Sequence, residues 1–468
     1  MTRLTRAGSA AAILTAAAAC AAPAWAGPPS AALSLEPIPD APLAESFAVH
    51  GQFTYVEQES SNFNAPYAGP NSLSPGRGAE TIDATLYLGK RLWRGAEAWI
   101  NGEIDQGFGL DDTLGAAGFP SGEAYKIGKN QPYLRLPRLF VRQTLSQSDA
   151  EASLPTAGLH EAGLPAAAHA AANQLGGMEQ GNRVVITVGK FSVGDVFDTN
   201  QYAHDPRSDF LNWAVIDAGT FDYAADAWGY TAGAAVEWYR NSWTLRGGLF
   251  DLSNVPNSAH LDPGFHEFQS ILEIEQRHQI AGRPGKLMLT LFDSRARMGL
   301  LDDAVRQAES SGAPVNIGAV RRYRSRGGGS LNIEQQLTSD LGAFARFGKA
   351  AGNVEPYEFT DIDRTVSAGL SLLGTAWHRT DDTLGVAAIN NGISAARERY
   401  MNAGGLGVRI GDGRLPHPGP EQILEGYYSL SVLKVAHLAL DYQWINHPAY
   451  NRDRGPVSVV AVRLHAQF

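Results

Sequence analysis

A single cysteine, at position 20, stands among the 468 residues of the chain. One thiol cannot form an intramolecular disulfide or a metal site built from several cysteines, so both are excluded. The catalytic and nucleotide-binding patterns G-x-S-x-G, H-E-x-x-H and G-x-x-x-x-G-K-[ST] are also absent. The sequence therefore predicts neither an enzyme nor a bound cofactor or metal.

Two further deficits narrow the class of protein. Basic residues number 38 against 48 acidic ones, and the net charge of −10 makes nucleic acid a poor partner. No run of 18 apolar residues follows position 26, so no transmembrane helix is predicted. The mean hydropathy of −0.20 does not exclude membrane-spanning strands, because their apolar and polar residues alternate and average out.

The first 26 residues have the layout of a secretory signal peptide. Arg3 and Arg6 precede an Ala-rich apolar stretch, and small residues surround a cleavage site after Ala26. A membrane anchor is disfavoured because the stretch is shorter and less apolar than a spanning helix. We predict a cleaved signal peptide over 1–26 and a short periplasmic lead over 27–46.

Apolar and polar residues alternate along many segments, as they do in half-buried β-strands. The last ten residues, VVAVRLHAQF, place Val460, Val462 and Leu464 on one face and Arg463 and His465 on the other. Sixteen such segments lie near 48–57, 80–90, 94–106, 137–146, 183–191, 229–239, 243–252, 267–277, 285–294, 327–337, 342–350, 364–373, 383–390, 426–434, 437–445 and 457–468.

Short and long connections alternate between these segments. The turn at 240–242 is short, whereas 295–325 and 391–425 are long. Transmembrane β-barrels have short periplasmic turns and long extracellular loops. We therefore predict an all-β fold, a transmembrane antiparallel β-barrel of 16 strands over 47–468, in the outer membrane of a Gram-negative cell. The stretch FLNWAVIDAG, 210–219, would make the strand number odd and is assigned to a loop.

Four segments do not fit the simple hairpin pattern. Residues 147–182 replace a periplasmic turn and are predicted to be an insertion, in which 162–177, AGLPAAAHAAANQLGG, predicts a short helix. LDDAVRQAESSG and SAARERYMNAGG predict short helices in external loops. The stretch RGGGS, 326–330, predicts a flexible start to a strand.

The apolar faces of barrel strands contact lipid, and the polar faces line the lumen. Ile100 and Ile104 are then predicted to point outward, and Glu103 and Asp105 inward. Further inward charges of both signs indicate a water-filled channel for neutral polar solutes, because guanidinium and carboxylate groups hydrogen-bond to hydroxyls. The predicted periplasmic turns are flanked by an aromatic girdle of Trp93, Trp238, Trp243 and Trp377.

Six stretches of the chain resemble one known family, the OprB-type carbohydrate-selective porins of Gram-negative outer membranes. They are HGQFTYVEQ (50–58), NGEIDQGFGL (101–110), GFPSGEAYKIGKNQPYLRLPRLFVRQT (118–144), VGKFSVGDVFDTNQYAHDPRSDFLNWA (188–214), GNVEPYEFTDID (352–363) and NRDRGPV (451–457). The resemblance implies passive diffusion of small sugars through a channel that infolded loops narrow, among them the third external loop, 192–228.

The resemblance and the inward strand faces together suggest residues that line the pore or bind sugar. Asp205 and Arg207 are additional loop candidates. The main candidates are Glu103, Asp105, Arg135, Arg138, Arg142, Asp195, Asp198, Glu237, Arg246 and Arg346.

Three partners are expected. They are small carbohydrates, the lipid of the outer membrane and the machinery that inserts barrels into that membrane. We expect this machinery to recognise an aromatic last residue such as Phe468. Two other functions remain open from the sequence. One is a structural or plugged outer-membrane barrel. The other is a barrel-type outer-membrane enzyme, for which the sequence favours no Ser, His and acid set.

Overall fold

The computed structural model describes residues 45–124, 128–146, 166–168, 171–179 and 181–468. The predicted signal peptide lies outside these residues. The helices are α1 (Trp213–Ile216), α2 (Leu301–Ser311) and α3 (Ala395–Asn402), and none described here is long and apolar enough to span a membrane. Short 3₁₀ turns lie at Leu110–Thr113, Val193–Asp195, Ile317–Val320, Thr375–Trp377 and Pro448–Tyr450.

The strands are numbered in chain order. They are β1 (Phe47–Ser60), β2 (Gly78–Trp93), β3 (Ala96–Gly107), β4 (Lys129–Ser146), β5 (Ala166–Ala168), β6 (Gly177–Glu179), β7 (Arg183–Phe191), β8 (Thr231–Arg240), β9 (Trp243–Asp251), β10 (Phe268–Ile280), β11 (Arg283–Met298), β12 (Arg322–Gln336), β13 (Leu341–Ala350), β14 (Arg364–Gly374), β15 (Arg379–Gly392), β16 (Glu421–Leu433), β17 (Ala436–Asn446) and β18 (Val457–Gln467).

Sixteen of these strands form one closed antiparallel barrel, and β5 and β6 pair separately. The first and last strands close the ring, with Gln52 opposite Gln467 and Ser60 opposite Val459. Closure leaves no strand edge unpaired, which a barrel in hydrocarbon requires. The predicted number and order of the strands are confirmed, and 210–219 lies in a loop as predicted.

The two faces of the strands are those predicted from the alternation. Ile100 and Ile104 are 42% and 49% exposed, whereas Glu103 and Asp105 on the opposite face are fully buried. The same alternation holds in β18, where Val460 points outward and Arg463 inward. The outer surface is therefore apolar, and the polar groups are turned into the barrel.

Short turns lie at one end of the barrel and long loops at the other. The turns at 94–95 and 281–282 have two residues each, and Trp93, Trp238 and Trp243 are exposed beside turns at this end. Barrels of this kind place their short turns in the periplasm and their aromatic residues at the membrane interface. Three members of the predicted girdle are thus exposed at the periplasmic end, and the fourth, Trp377, is half-buried in the turn at Thr375–Trp377.

Two local predictions are wrong. The insertion joins β4 to β7 at the end with the short turns, where Ser146 pairs with Arg183. Within the segment predicted to be helical, β5 instead pairs as a strand with β6, which begins at the last residue of that segment. The glycines of RGGGS lie within β12, where all three pair with β11 and the last two also pair with β13, so this stretch does not begin a strand. The two helices predicted in external loops are present as α2 and α3.

Extracellular loops fold into the barrel. The loop between β7 and β8, residues 192–230, carries the buried α1, and we call it the lumen loop. Its Trp213 stacks on Phe119 at 5.5 Å between ring centroids and meets Phe359 edge-on at 4.8 Å. These rings belong to three different loops, so aromatic packing joins the loops inside the barrel.

Candidate functional site

Side chains of the barrel wall hold the lumen loop from several sides. Arg346 of β13 donates to the carbonyl oxygens of Val215 and Ala203 at 2.5 and 2.8 Å. Across the barrel, Arg463 of β18 donates to three carbonyls at 2.7 to 2.9 Å, those of Pro206, Ser208 and Asp209. A guanidinium group has five donors in a fixed plane and can therefore bind several carbonyls at once. The position of the loop is fixed by the wall.

Three arginines of β4, Arg135, Arg138 and Arg142, point into the barrel and are called the arginine row. Strict alternation would turn Arg135 outward. However, Arg135 lies opposite Glu103 and Arg138 lies opposite Asn101. Between these two pairs, β4 advances by three residues while β3 advances by two. This β-bulge re-aims the strand and brings both side chains to the inner face.

Arg135 and Arg207 neutralise a cluster of carboxylates on β2 and β3. Arg135 Nη2 lies 2.6 Å from Glu103 Oε1, and its Nε donates to Asp105. From the lumen loop, Arg207 Nη2 lies 2.5 Å from Asp83 Oδ2 and 3.5 Å from Glu103 Oε2. The oxygens of Asp83, Glu103 and Asp105 come within 4.8 Å of one another, and the two guanidinium groups offset their repulsion.

The lumen-loop arginine also contacts a fourth carboxylate, since Arg207 Nε lies 3.2 Å from Glu123 Oε1. Burial alone lowers the pKa of Arg207, but Asp83 and Glu123 outweigh burial and raise that pKa well above its usual value. Arg207 therefore stays charged. The sequence reasoning missed Asp83 and Glu123. Asp83 could have been found on the inward face of β2, whereas Glu123 lies in a loop without periodicity.

Arg138 and Arg142 each pair with one carboxylate. Arg138 donates two bonds of 2.6 and 2.7 Å to Asp195 of the lumen loop. Arg142 Nη1 donates to Glu97 at 2.9 Å and to the carbonyl of Asn173, in the insertion, at 2.8 Å. The side chains of Asp195 and Arg142 are 29% and 23% exposed. Solvent therefore reaches both residues.

Aromatic rings lie against the arginine row. The guanidinium carbon of Arg135 is 5.5 Å from the ring of Trp228, and that of Arg138 is 5.0 Å from the ring of Tyr230. Distances of this size allow cation–π attraction. The alternation groups Tyr230 with the outward-facing Val236, but Tyr230 precedes β8 and is buried. The sequence reasoning therefore did not place it in the site.

Two cavities flank the lumen loop. A cavity of about 220 Å³ lies beside the arginine row, where its wall includes Arg142, Asn173, Gln174 and Asp195. The other cavity, of about 290 Å³, lies towards β12–β18, and its wall includes Tyr202, Arg207, Asp209, Tyr427 and His465. Both walls mix donors and acceptors, which suits a neutral solute rich in hydroxyls.

Arg246 and Glu237 lie in a separate cross-strand network. Arg246 of β9 is 3.0 Å from Glu237 of β8 and 2.8 Å from both Glu273 and Glu275 of β10. Glu273 also accepts a bond of 2.8 Å from the backbone N–H of Asp198, in the lumen loop. The network therefore connects three strands to the loop.

Asp198 of the lumen loop and Arg346 of β13 are both fully buried, and Arg346 Nε lies 3.4 Å from Asp198 Oδ2. Burial raises the pKa of Asp198, while the guanidinium of Arg346 acts in the opposite direction. A solute in the lumen has no access to either side chain. Of the ten predicted residues, Arg142 and Asp195 are thus part-exposed, whereas the others are largely or fully buried in ion pairs.

Comparisons with known proteins agree with this architecture. The family described as carbohydrate-selective porin, OprB family, matches residues 71–468. The high-pH structure of OprB from Pseudomonas putida is 15% identical, with 90% of this chain and 94% of that chain covered and a TM-score of 0.66. OccAB1 from Acinetobacter baumannii is 10% identical, with 92% and 99% covered and a TM-score of 0.47. No curated protein matches the sequence.

Proposed function

Because the chain belongs to the OprB family of carbohydrate-selective porins and is an outer-membrane channel for passive sugar diffusion, we propose that its sugars pass along the arginine row. The observation that carries this proposal is the cavity between Arg142 and Asp195. Both residues are part-exposed, whereas Asp198 and Arg346 are fully buried.

The arginine row offers hydrogen bonds in a form that sugars can use. Arg138 and Arg142 donate to hydroxyl oxygens, Asp195 accepts from hydroxyl protons, and the amides of Asn173 and Gln174 do both. Each arginine already has a carboxylate partner, so the net charge along the row is small. This balance favours a neutral polar solute over an ion of either sign.

We assign other roles to the remaining predicted residues. The charged cluster consists of Glu103, Asp105 and Arg135, and Arg207 connects this cluster to the lumen loop. Four further residues anchor the lumen loop against the wall and do not contact sugar. They are Asp198, Glu237, Arg246 and Arg346.

Further expectations belong to this proposal. Residues 1–26 direct export and are removed, and 27–46 form a short periplasmic lead ahead of the barrel domain at 47–468. The insertion machinery recognises the strand that ends at Phe468, which is 62% exposed. The protein has no catalytic activity, and the insertion at 147–182 is periplasmic and contributes Asn173 to the wall of the channel.

Swelling of liposomes with neutral sugars of increasing size tests the proposed path. We expect wild-type protein to admit monosaccharides and to exclude large oligosaccharides. The variant Arg138→Ala with Arg142→Ala should alter the relative rates among monosaccharides. Lys90→Ala with Arg94→Ala, at the exposed periplasmic rim, is the control and should behave as wild type. Absence of swelling in wild-type protein would refute transport, whereas unaltered sugar preference in the row variant would refute only the path.

A further inference from the structure

A groove of about 910 Å³ runs along the lipid-facing surface of the barrel. Its floor is β12, whose outward positions Gly327 and Gly329 have no side chains to fill it. Leu291 of β11 and Phe347 of β13 form the two sides, and both are exposed. The stretch RGGGS therefore produces a concave slot that is mostly apolar, with a carboxylate oxygen of Asp293 beside Gly327.

Cations lie at the extracellular end of this groove. Lys349 of β13 and Arg364 of β14 are directly opposite each other in the sheet, line the groove and are exposed. In the part of the chain that the structure describes, neither side chain forms an ion pair. Two free cations therefore border the apolar slot where the strands reach the membrane surface.

The neighbouring outward positions add to this positive charge. Arg295 and Arg297 of β11 are exposed on the same face, and Arg295 lies 5.1 Å from the ring of Tyr323. Asp293 is the one outward-facing carboxylate among the described strand residues of β11–β14. This surface is thus cationic in a chain whose net charge is −10.

The opposite charge is found elsewhere on the same rim. At the extracellular ends of β1 and β2, the outward-facing charged residues are Glu57, Glu59 and Glu80. The charge of the outer surface at β1 and β2 is therefore opposite in sign to that around the groove.

We propose that this groove binds a phosphorylated lipid of the outer leaflet. Its acyl chain lies over Gly327 and Gly329 between Leu291 and Phe347, and its phosphate contacts Lys349 and Arg364. A flexible acyl chain fits a narrow slot that the convex wall of a second barrel does not enter. Charge-assisted bonds from Lys and Arg are the usual means of binding phosphate at a membrane surface. The proposal rests on the outer-membrane location and is independent of the sugar path.

Native mass spectrometry of the full mature protein in mild detergent tests this site, with lipid A and its dephosphorylated form as probes. We expect wild-type protein to bind lipid A more tightly than the dephosphorylated form. Lys349→Gln with Arg364→Gln should weaken lipid A binding by roughly tenfold or more, since each cation near an anionic lipid contributes about fivefold. Lys90→Gln with Arg94→Gln removes equal charge from the periplasmic rim and should leave binding unchanged.

A second variant tests the groove itself. Gly327→Leu places a side chain in the slot, where the nearest atoms to a new β-carbon are 3.5 Å away, so the barrel accommodates it. We expect reduced binding of both lipid forms. Heat-modifiable mobility in SDS gels and liposome swelling with a monosaccharide show that each variant is folded.

Two results would overturn the proposal. One is equal binding of lipid A by wild-type protein and by both groove variants. The other is an oligomer without bound lipid that Gly327→Leu dissociates, which would make a second copy of the chain the occupant of the groove.

Discussion

The ring of the terminal residue, Phe468, lies directly against the backbone of Gly51. A β-carbon at position 51 would stand 2.5 Å from Cζ of Phe468. The two residues also exchange backbone hydrogen bonds, of 2.9 Å from the N–H of Gly51 and 3.0 Å from the N–H of Phe468. The first and last strands are thus joined where an aromatic ring covers a glycine, an arrangement that fixes register in designed sheets.

Gly51→Val should impair assembly of the barrel, because the new side chain occupies the position of the Phe468 ring. We expect a smaller heat-modifiable fraction in outer membranes, while the conductance of inserted molecules stays as in wild type. Deletion of Phe468 should have the same effect. Gly102→Val is the matched control, since no atom lies within 4 Å of its new β-carbon. Equal assembly of the variants at 51 and 102 would contradict this role.

Removal of Arg138 and Arg142 together should weaken the block of ion current by sugars in planar bilayers. A hydrogen bond to a charged group contributes about 1.5–3 kcal/mol, so the loss of two donors should reduce sugar affinity roughly tenfold or more. Lys90→Ala with Arg94→Ala controls for the change in charge. An unaltered block in the row variant would remove both arginines from the sugar path.

Arg346→Ala should release the lumen loop. The change leaves the carboxylate of Asp198 buried without its cation and deprives the carbonyls of Val215 and Ala203 of their donor. Breaking a buried ion pair on one side costs about 3–5 kcal/mol. We expect protease cleavage within 192–230 and a larger single-channel conductance, neither of which should follow from Arg322→Ala at the exposed start of β12. If the lumen loop of Arg346→Ala stays protected from protease, its other contacts are sufficient to hold it in place.

The stability of the protein should fall at alkaline pH because of His204. Its Nδ1 lies 3.3 Å from Asp217 Oδ1, and its Nε2 lies 3.0 Å from the carbonyl oxygen of Gly194. Burial alone lowers the pKa of His204, but Asp217 outweighs burial and raises the pKa to about 9. The value in the unfolded chain is about 6.5. Protonated His204 thus stabilises the fold fully below pH 6.5, and the contribution is lost as pH rises through 9.

Thermal unfolding between pH 7 and pH 10 measures this contribution. Other groups also titrate in this range, so His204→Gln is the necessary comparison. We expect Tm to fall with pH more steeply in wild-type protein than in His204→Gln. Parallel curves would mean that the imidazole is not responsible.

The strands could be predicted from the sequence because their signal is local. A barrel wall between lipid and lumen needs an apolar residue at every second position, as in β3 with Ile100 and Ile104. The prediction of a helix in the Ala-rich segment at 162–177 was wrong because the structure there does not follow from the local sequence. Alanine has the highest helix propensity, but pairing between β5 and β6 overrides that preference in the fold.

The site was only partly predictable because it depends on contacts between residues far apart in the chain. Glu103 and Asp105 follow from alternation, whereas the inward orientation of Arg135 follows from a bulge that alternation does not indicate. The sequence also suggested Arg207, but its contact with Glu123 exists only because two loops fold into the same barrel. No periodicity within either loop encodes that contact.

Arg463 lies on β18, the strand that pairs with β1 to close the ring. Its three hydrogen bonds to residues 206–209 can form only after β18 has taken its place between β17 and β1. A barrel in which β18 has not paired therefore lacks one of the anchors of the lumen loop. Closure of the ring and the placement of this loop in the lumen are thus coupled through a single side chain.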